Sequence, residues 1–141
     1  MIIRKMTIDD YEQIYDLWVN TPGMGLSPID DTKEGIIKYL ERNPNTCFVA
    51  DEEDKIVGVL MSGHDGRRGS FLHAAVAQSE RRKGIGKELL DTAVLALRSE
   101  GITRVSLVAF ANNEIGNAFW ENQGYVERED VTTRFKDISE L

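Results

Sequence analysis

The sequence predicts an α+β fold in which helices cover a mixed central sheet, with the element order βααβββαβαββ. Two patterns lead to this prediction. Short β-rich runs alternate with longer runs whose apolar residues recur at i, i+3, i+4 and i+7. No repeat, low-complexity tract or linker divides the 141 residues, so we expect a single domain over 1–141.

The first third of the chain predicts one strand and two helices. The strand is 2–6, and Thr7 with Asp10 forms a helix start signal after it. The following helix reaches Asn20 and has an apolar stripe of Tyr11, Ile14, Tyr15 and Trp18. The breaker-rich segment 21–28 predicts a loop, and a second helix follows over 31–42.

The middle of the chain predicts three strands and a long helix. Residues 46–50, 55–62 and 70–77 are short β-rich runs separated by turns, as in an antiparallel meander. A helix over 84–99 ends before Gly101, and a valine- and leucine-rich run at 104–110 predicts a buried strand.

One helix and two strands complete the prediction. The helix covers 113–122 and is terminated by Gly124. The strands cover 125–128 and 132–138.

Composition and charge argue against two classes of partner, nucleic acids and membranes. The formal net charge of -7 argues against a nucleic-acid partner, whose phosphates require lysine and arginine. No run approaches the roughly 20 apolar residues of a membrane span, so we expect no membrane partner. Cys47 is the only cysteine, which favours a reducing compartment, and we expect a cytoplasmic protein.

The most informative segment joins a predicted strand to a predicted helix through a basic loop, Arg81-x-x-Gly84-x-Gly86. Backbone N–H groups and the positive end of the helix dipole converge there, which indicates an anion site suited to a pyrophosphate. Its spacing matches neither the dinucleotide fingerprint nor the P-loop. Alternatives are a helix start with solvated lysines and arginines, and a regulator that binds another nucleotide.

Together with a downstream segment from Asn113 to Tyr125, this loop resembles the GNAT N-acetyltransferase superfamily. The resemblance implies a sheet splayed between its fourth and fifth strands and acetyl-CoA as cosubstrate. It implies that the backbone N–H of Val76 stabilises the oxyanion. We expect no metal, because the spacing of His64, His73 and Cys47 matches no compact ligand pattern. The cofactor-binding residues expected from the loop and the resemblance are Ala74, Ala75, Val76, Arg81, Arg82, Lys83, Gly84, Ile85, Gly86, Lys87, Asn113, Phe119 and Trp120. Asn113 is equally expected as a helix N-cap.

Two positions depart from the family pattern. Trp120 stands where many members have a tyrosine that protonates the leaving thiolate, and an indole N–H lacks the acidity for this. Val108 stands where the ribosomal-protein alanine acetyltransferases have a glutamate base. His73 is the candidate replacement, as a base or proton relay, and the alternative is a structural histidine packed against the sheet.

The expected reaction is acetyl transfer from acetyl-CoA to a primary amine by direct attack in a ternary complex. By the resemblance, we expect the acceptor at the loop between the first two predicted helices and at the turn between the last two predicted strands. Acidic and apolar residues of these segments suit an amine, either a small molecule or a protein N-terminus or lysine. The alternative is a non-catalytic acyl-CoA sensor or regulatory module. The apolar content of 131–138 leaves room for a homodimer.

Overall fold

A computed structural model describes residues 1–139, which divide into two compact units, one over Met1–Phe110 and one that begins at Ala111. We call them the first and the second unit. The first unit contains β1 (Ile2–Lys5), α1 (Tyr11–Val19), α2 (Lys33–Arg42), β2 (Phe48–Glu52), β3 (Lys55–His64), β4 (Gly69–Val76), α3 (Ile85–Ser99) and β5 (Val105–Ser106). Short 3-10 helices cover Ile8–Asp10 and Gln78–Glu80. Within 1–139, no helix has the length and apolar character needed to cross a membrane.

The first unit is built on a five-stranded sheet in the order β1-β2-β3-β4-β5. The first four strands are antiparallel, and β4 pairs with β5 in parallel. That parallel ladder consists of Gly69 opposite Val105 and Ser70 opposite Ser106. The two strands therefore part after Ser70, and the predicted mixed sheet with a splay between the fourth and fifth strands is confirmed.

Helices cover both faces of this sheet. Trp18 and Ile14 of α1 are fully buried with Val59 of β3 in one core cluster. On the opposite face Ile85 and Leu89 of α3 pack against Gly58. Successive residues of a strand face opposite sides, so α1 and α3 lie on opposite faces of β3.

The second unit contains one helix, α4 (Glu114–Asn122). Asn113 caps it, because its Oδ1 accepts a hydrogen bond from the Gly116 N–H at 3.0 Å. The predicted helix over 113–122 is confirmed.

Three sequence predictions about strands are wrong. Within 1–139, residues 125–128 and 132–138 form no strand, although their patterns are β-like. The predicted strand 104–110 is reduced to β5, and Val108 is 79% exposed instead of buried. A β pattern becomes a strand only where a neighbour supplies a ladder. After Ser106 the fifth strand has left β4, so no ladder continues there.

Candidate functional site

The open edge of β4 is the first feature of the site. Val76 lies opposite Gly58, and the next residue, Ala77, donates its N–H to the Val57 carbonyl at 2.8 Å. Because N–H groups alternate sides along a strand, the Val76 N–H is directed away from β3. That side of β4 is the side from which β5 has diverged. The geometry leaves a backbone donor directed into the splay.

The two alanines before Val76 face opposite sides of the sheet. Ala75 is buried in the core cluster that contains Trp18, whereas Ala74 is exposed. Only Ala74 and Val76 are therefore accessible to a bound molecule through their side chains.

The glycine loop (81–86) connects this edge to α3. Gly84 is the N-cap residue of α3 and has φ = 80°, a left-handed conformation that favours glycine. No side chain caps the helix at this position. The first intrahelical bond runs from the Glu88 N–H to the Gly84 carbonyl, so the N–H groups of Ile85, Gly86 and Lys87 have no intrahelical acceptor. These donors lie at the start of a fifteen-residue helix, an arrangement suited to an anion.

The basic side chains of the loop have different surroundings. Arg81 is turned inward and donates from Nε to the Val76 carbonyl at 3.3 Å. Lys83 pairs with Glu80, and Lys87 pairs with Asp91. The hydrogen bond from Lys83 to Glu80 raises the pKa of Lys83. Both lysine pairs are exposed and so hold these side chains only weakly.

Arg82 differs from its neighbours because its backbone is left-handed, with φ = 68°. A non-glycine residue rarely adopts this conformation without a structural reason. Its side chain is exposed, next to the helix start. The strained backbone turns the chain from Arg81 toward Gly84.

Gly58 of β3 determines how closely α3 approaches the sheet. A Cβ atom at this position would lie 3.0 Å from Cγ2 of Ile85 and 3.1 Å from Cδ1 of Leu89. Both distances are shorter than ordinary van der Waals contacts. Because Gly58 has no side chain, α3 and the glycine loop at its start can lie close to the sheet. Sequence reasoning missed this residue because the contact joins positions far apart in the chain.

His73 occupies a β-bulge in β4. The register between β3 and β4 shifts between Val59 and Met61, and His73 itself has φ = 50°. Its Nε2 lies 2.8 Å from Oδ1 of Asp31, and its carbonyl accepts a hydrogen bond from Nε1 of Trp18 at 3.2 Å. The two rings meet edge to face at 4.9 Å between centroids. The bulge therefore directs His73 to the α1 face of the sheet.

Asp31 is held as firmly as His73. It is only 7% exposed, and its Oδ2 accepts the Ser27 N–H at 2.7 Å. Its carbonyl accepts the Tyr11 hydroxyl at 2.7 Å. Burial raises the pKa of Tyr11, so this hydroxyl remains a donor at neutral pH. Asp31 is thus a buried partner of His73, whereas the neighbouring Asp30 is exposed.

The second unit carries the remaining predicted site residues. Phe119 and Trp120 are adjacent on α4, with ring centroids 5.1 Å apart, and Trp120 also contacts Tyr125 at 5.3 Å. All three rings are partly exposed. Asn113 acts as the N-cap of α4, which leaves its Nδ2 as the donor that could meet a ligand.

The other histidine and the cysteine serve different local structures. His64 accepts the Gly66 N–H on Nδ1 at 2.9 Å, a local hydrogen bond within the turn. Its Nε2 contacts Glu100 at 2.8 Å. Cys47 is buried, with Sγ 3.2 Å from the Ser62 carbonyl. Each of these residues has its own partner, and they do not converge with His73 on one centre.

Comparison with known proteins gives the family. The model of the acetyltransferase (GNAT) family matches residues 11–125. The chain belongs to the GNAT family. An acetyltransferase of Pectobacterium atrosepticum is 30% identical over 140 residues, which cover 99% of this chain and 97% of the relative.

Solved GNAT structures have the same fold. Ard1 of Thermoplasma volcanium superposes with a TM-score of 0.76 at 23% identity, over 89% of this chain and 82% of Ard1. The PaiA N-acetyltransferase of Thermoplasma acidophilum, determined in complex with coenzyme A, gives 0.74 at 20% identity, over 86% and 87% of the two chains. These two likenesses establish the fold of the GNAT domain.

Proposed function

We propose that this GNAT protein transfers an acetyl group from acetyl-CoA to a primary amine by direct attack within a ternary complex. One observation carries the proposal: the Val76 N–H is directed to the open edge of β4, and the uncapped start of α3 follows in the same continuous segment. An oxyanion donor and an anion site are thereby held at a fixed separation by one strand, one loop and one helix.

The chain's own groups fit acetyl-CoA. The N–H groups of Ile85, Gly86 and Lys87 would bind the pyrophosphate, together with the exposed side chain of Arg82. The pantetheine arm would run along the open edge of β4, where Ala74 leaves space. Asn113, Phe119 and Trp120 of the second unit stay predicted contacts of acetyl-CoA.

The thioester carbonyl would accept a hydrogen bond from the Val76 N–H. As the amine adds, negative charge grows on that oxygen, and a fixed backbone donor stabilises it without rearrangement. The Val76 carbonyl already accepts from Arg81, which keeps this peptide in place.

The acceptor amine would approach from the α1 face, opposite α3. His73 lies on that face, and part of its side chain is exposed. An ammonium group must lose a proton before it can attack, and an imidazole is suited to accept it near neutral pH. The acceptor class remains a primary amine, on a small molecule or on a protein.

A specific observation favours the second candidate, an acyl-CoA-binding module without efficient chemistry. Trp120 supplies no acidic proton for the leaving thiolate, and the exposed Val108 supplies no base. Both candidates require the same acetyl-CoA site. They differ in whether an amine accelerates release of the CoA thiol.

A thermal unfolding scan with acetyl-CoA tests the shared part of the proposal. At about one hundred times the dissociation constant, the ligand adds roughly 2.7 kcal/mol to the free energy of unfolding. We expect a rise in Tm of roughly 5–10 °C with acetyl-CoA. ATP and NAD, which also carry a pyrophosphate, are the controls and should give smaller shifts. The absence of a shift at saturating acetyl-CoA would contradict both candidates.

Thiol release then separates the two candidates. The amines to be added are a polyamine, an aminoglycoside, an amino-acid amide and a lysine-containing peptide. Amine-dependent release supports the enzyme. A thermal shift with no release by any of these amines supports the sensor.

A further inference from the structure

We propose that Asp31 is a positioning residue for the acetyl transfer: it holds His73 in the tautomer that carries its proton on Nε2 and accepts the proton of the acceptor amine on Nδ1. This inference rests on the proposed function of the site. It assigns a role to a residue 42 positions away from His73 in the chain.

The Asp31 carboxylate has a fixed direction. Oδ2 accepts the Ser27 N–H at 2.7 Å, and Oδ1 faces Nε2 of His73 at 2.8 Å. An ionised carboxylate only accepts hydrogen bonds, so a neutral His73 must carry its proton on Nε2. The remaining ring nitrogen, Nδ1, is then the acceptor, and within the first unit no protein donor lies within hydrogen-bond distance of it.

The His73 imidazole is fixed from the strand side as well. The Trp18 indole donates to the His73 carbonyl and contacts the ring edge to face. The left-handed backbone of His73 is strained for a residue with a side chain, so it requires surrounding contacts to persist. The side chain nevertheless remains 19% exposed. His73 is therefore both oriented and reachable, as a proton acceptor must be.

The ionisable groups facing this pair come from three elements. His73 lies on β4, Asp31 on the segment before α2, and Tyr11 on α1, where its hydroxyl donates to the Asp31 carbonyl. Trp18 completes the surroundings without a titratable group. Asp31 is thus the charged group that contacts the imidazole directly, as a hydrogen-bond acceptor.

Two protons leave the acceptor nitrogen during the reaction. The acceptor ammonium gives one proton to Nδ1 of His73, and the resulting imidazolium is stabilised by the Asp31 carboxylate. The neutral amine attacks the thioester, a C–N bond forms and the C–S bond breaks. The second nitrogen proton passes through water to the thiolate, and His73 releases the first to solvent. His73 precedes Val76 by three residues, about 10 Å along an extended strand, so the proton would pass from the amine to the imidazole through intervening water.

The test is Asp31→Asn, with Asp30→Asn as the matched control. An amide offers one acceptor and one donor group, so the substituted side chain cannot accept from both Ser27 and His73. If the amide oxygen remains with the Ser27 N–H, the NH₂ group faces Nε2, and the ring proton must move to Nδ1. Asp30→Asn makes the same charge change one residue away, at an exposed side chain.

The first measurement is the ¹⁵N spectrum of the imidazoles in the free protein, with His64 as internal reference. We expect His73 to be protonated on Nε2 in the wild type and in Asp30→Asn, and on Nδ1 in Asp31→Asn. A wild-type ring protonated on Nδ1, or a tautomer that Asp31→Asn leaves unchanged, overturns the proposal. This readout requires neither acetyl-CoA nor an acceptor.

The second measurement is amine-dependent thiol release as a function of pH, with the most active amine of the four named above. We expect kcat to fall by about 100-fold in Asp31→Asn, in the range typical of general base catalysis, with an altered pH profile and an unchanged thermal shift by acetyl-CoA. The kcat of His73→Asn should fall equally, and asparagine is chosen because it tolerates a left-handed backbone. Wild-type turnover and pH profile in Asp31→Asn overturn the inference. If the wild-type protein shows the Nε2–H tautomer but no thiol release, the proposed enzyme function is wrong, and so is the positioning role of Asp31 in acetyl transfer. The hydrogen bond between Asp31 and His73 would still be confirmed.

Discussion

At the scale of single residues, the loop sequence predicted the start of α3 but not the left-handed backbone of Arg82. Gly84 and Gly86 form a pattern between chain neighbours, so the sequence alone indicates where this helix start lies. The partnership of Asp31 and His73 could not be predicted in the same way. It depends on a bulge in β4 and on the path of the chain before α2, and neither leaves a local sequence signal.

Replacing Gly84 by alanine tests the loop conformation. A Cβ atom there would meet no atom within 4 Å, so only the left-handed backbone opposes the change. We expect a loss of roughly 1–2 kcal/mol in the free energy of unfolding. We also expect about tenfold weaker acetyl-CoA binding, because the helix-start N–H groups shift. Titration calorimetry with acetyl-CoA measures the affinity, and urea unfolding measures the stability.

Gly101→Ala is the control for Gly84→Ala. Gly101 has φ = 83°, also has no neighbouring atom within 4 Å of an added Cβ, and lies beyond the other end of α3. It should lose similar stability and keep wild-type affinity. Equal weakening of acetyl-CoA binding in both variants would show that the loop acts only through global stability.

At the scale of elements, local patterns predicted the helices well and the strands unevenly. α3 and α4 have both apolar periodicity and termination signals, so their positions were confirmed within one residue. The predicted strands at 104–110, 125–128 and 132–138 failed because a strand also needs a partner, and partnership is not encoded locally. The position of α3 over β3 likewise depends on a contact between residues far apart in the chain, because Gly58 lets Ile85 and Leu89 approach the strand closely.

Gly58→Ala tests whether acetyl-CoA binding requires the close approach of α3 to β3. An added Cβ would press on Ile85 and Leu89 at 3.0 and 3.1 Å, and such overpacking costs about 1–3 kcal/mol. Because Ile85 begins the helix, the N–H groups of the anion site should move with it. We expect lower stability and weaker acetyl-CoA binding, measured by the same two methods.

Gly69→Ala provides the matched overpacking at the other end of α3. There an added Cβ would lie 3.2 Å from Cδ1 of Leu97. It should destabilise the protein comparably without weakening acetyl-CoA binding. If Gly58→Ala binds acetyl-CoA as tightly as Gly69→Ala does, the approach of α3 to β3 has no role in the site.

The junction of β1 and α1 should give a pH-dependent stability. Two nitrogens of Arg4 bind the two carboxylate oxygens of Asp10 at 2.8 and 2.9 Å, and the Thr7 N–H donates to the same group. Burial acts to raise the pKa of Asp10, but these hydrogen bonds outweigh it, and the pKa is lowered. A carboxyl whose pKa is lower in the folded state stabilises the fold above its unfolded value, near 4. That contribution is lost as the pH falls through the folded-state value.

Asp10→Asn should therefore cost about 2 kcal/mol at pH 7. The difference in unfolding free energy between wild type and variant should shrink below about pH 4. Urea unfolding at pH 7, 5, 4 and 3 measures this difference. The control is Glu12→Gln, which removes the carboxylate of the exposed pair Lys33 and Glu12. A difference that stays constant over this range would contradict the assignment to the Asp10 carboxylate.

At the scale of the whole molecule, the first unit holds most of the proposed chemistry. The open edge, the glycine loop and the pair of Asp31 and His73 all lie within Met1–Phe110 and share one sheet. A ligand bound at the loop should therefore stabilise the sheet as a unit, including residues far from the ligand in sequence.

Cys47 is a probe for this coupling, because it is the only cysteine and lies in the core beneath α1. Burial raises the pKa of its thiol to about 12, so the folded protein presents almost no thiolate at pH 8. Alkylation by iodoacetamide, followed by mass spectrometry of the protein, should be at least about 1,000-fold slower than in urea. If opening of the sheet limits the reaction, acetyl-CoA at one hundred times its dissociation constant should slow it by a further factor of about 100. A labelling rate that acetyl-CoA leaves unchanged, in a protein whose Tm it raises, would mean that Cys47 is exposed by a local fluctuation that does not disrupt the binding site.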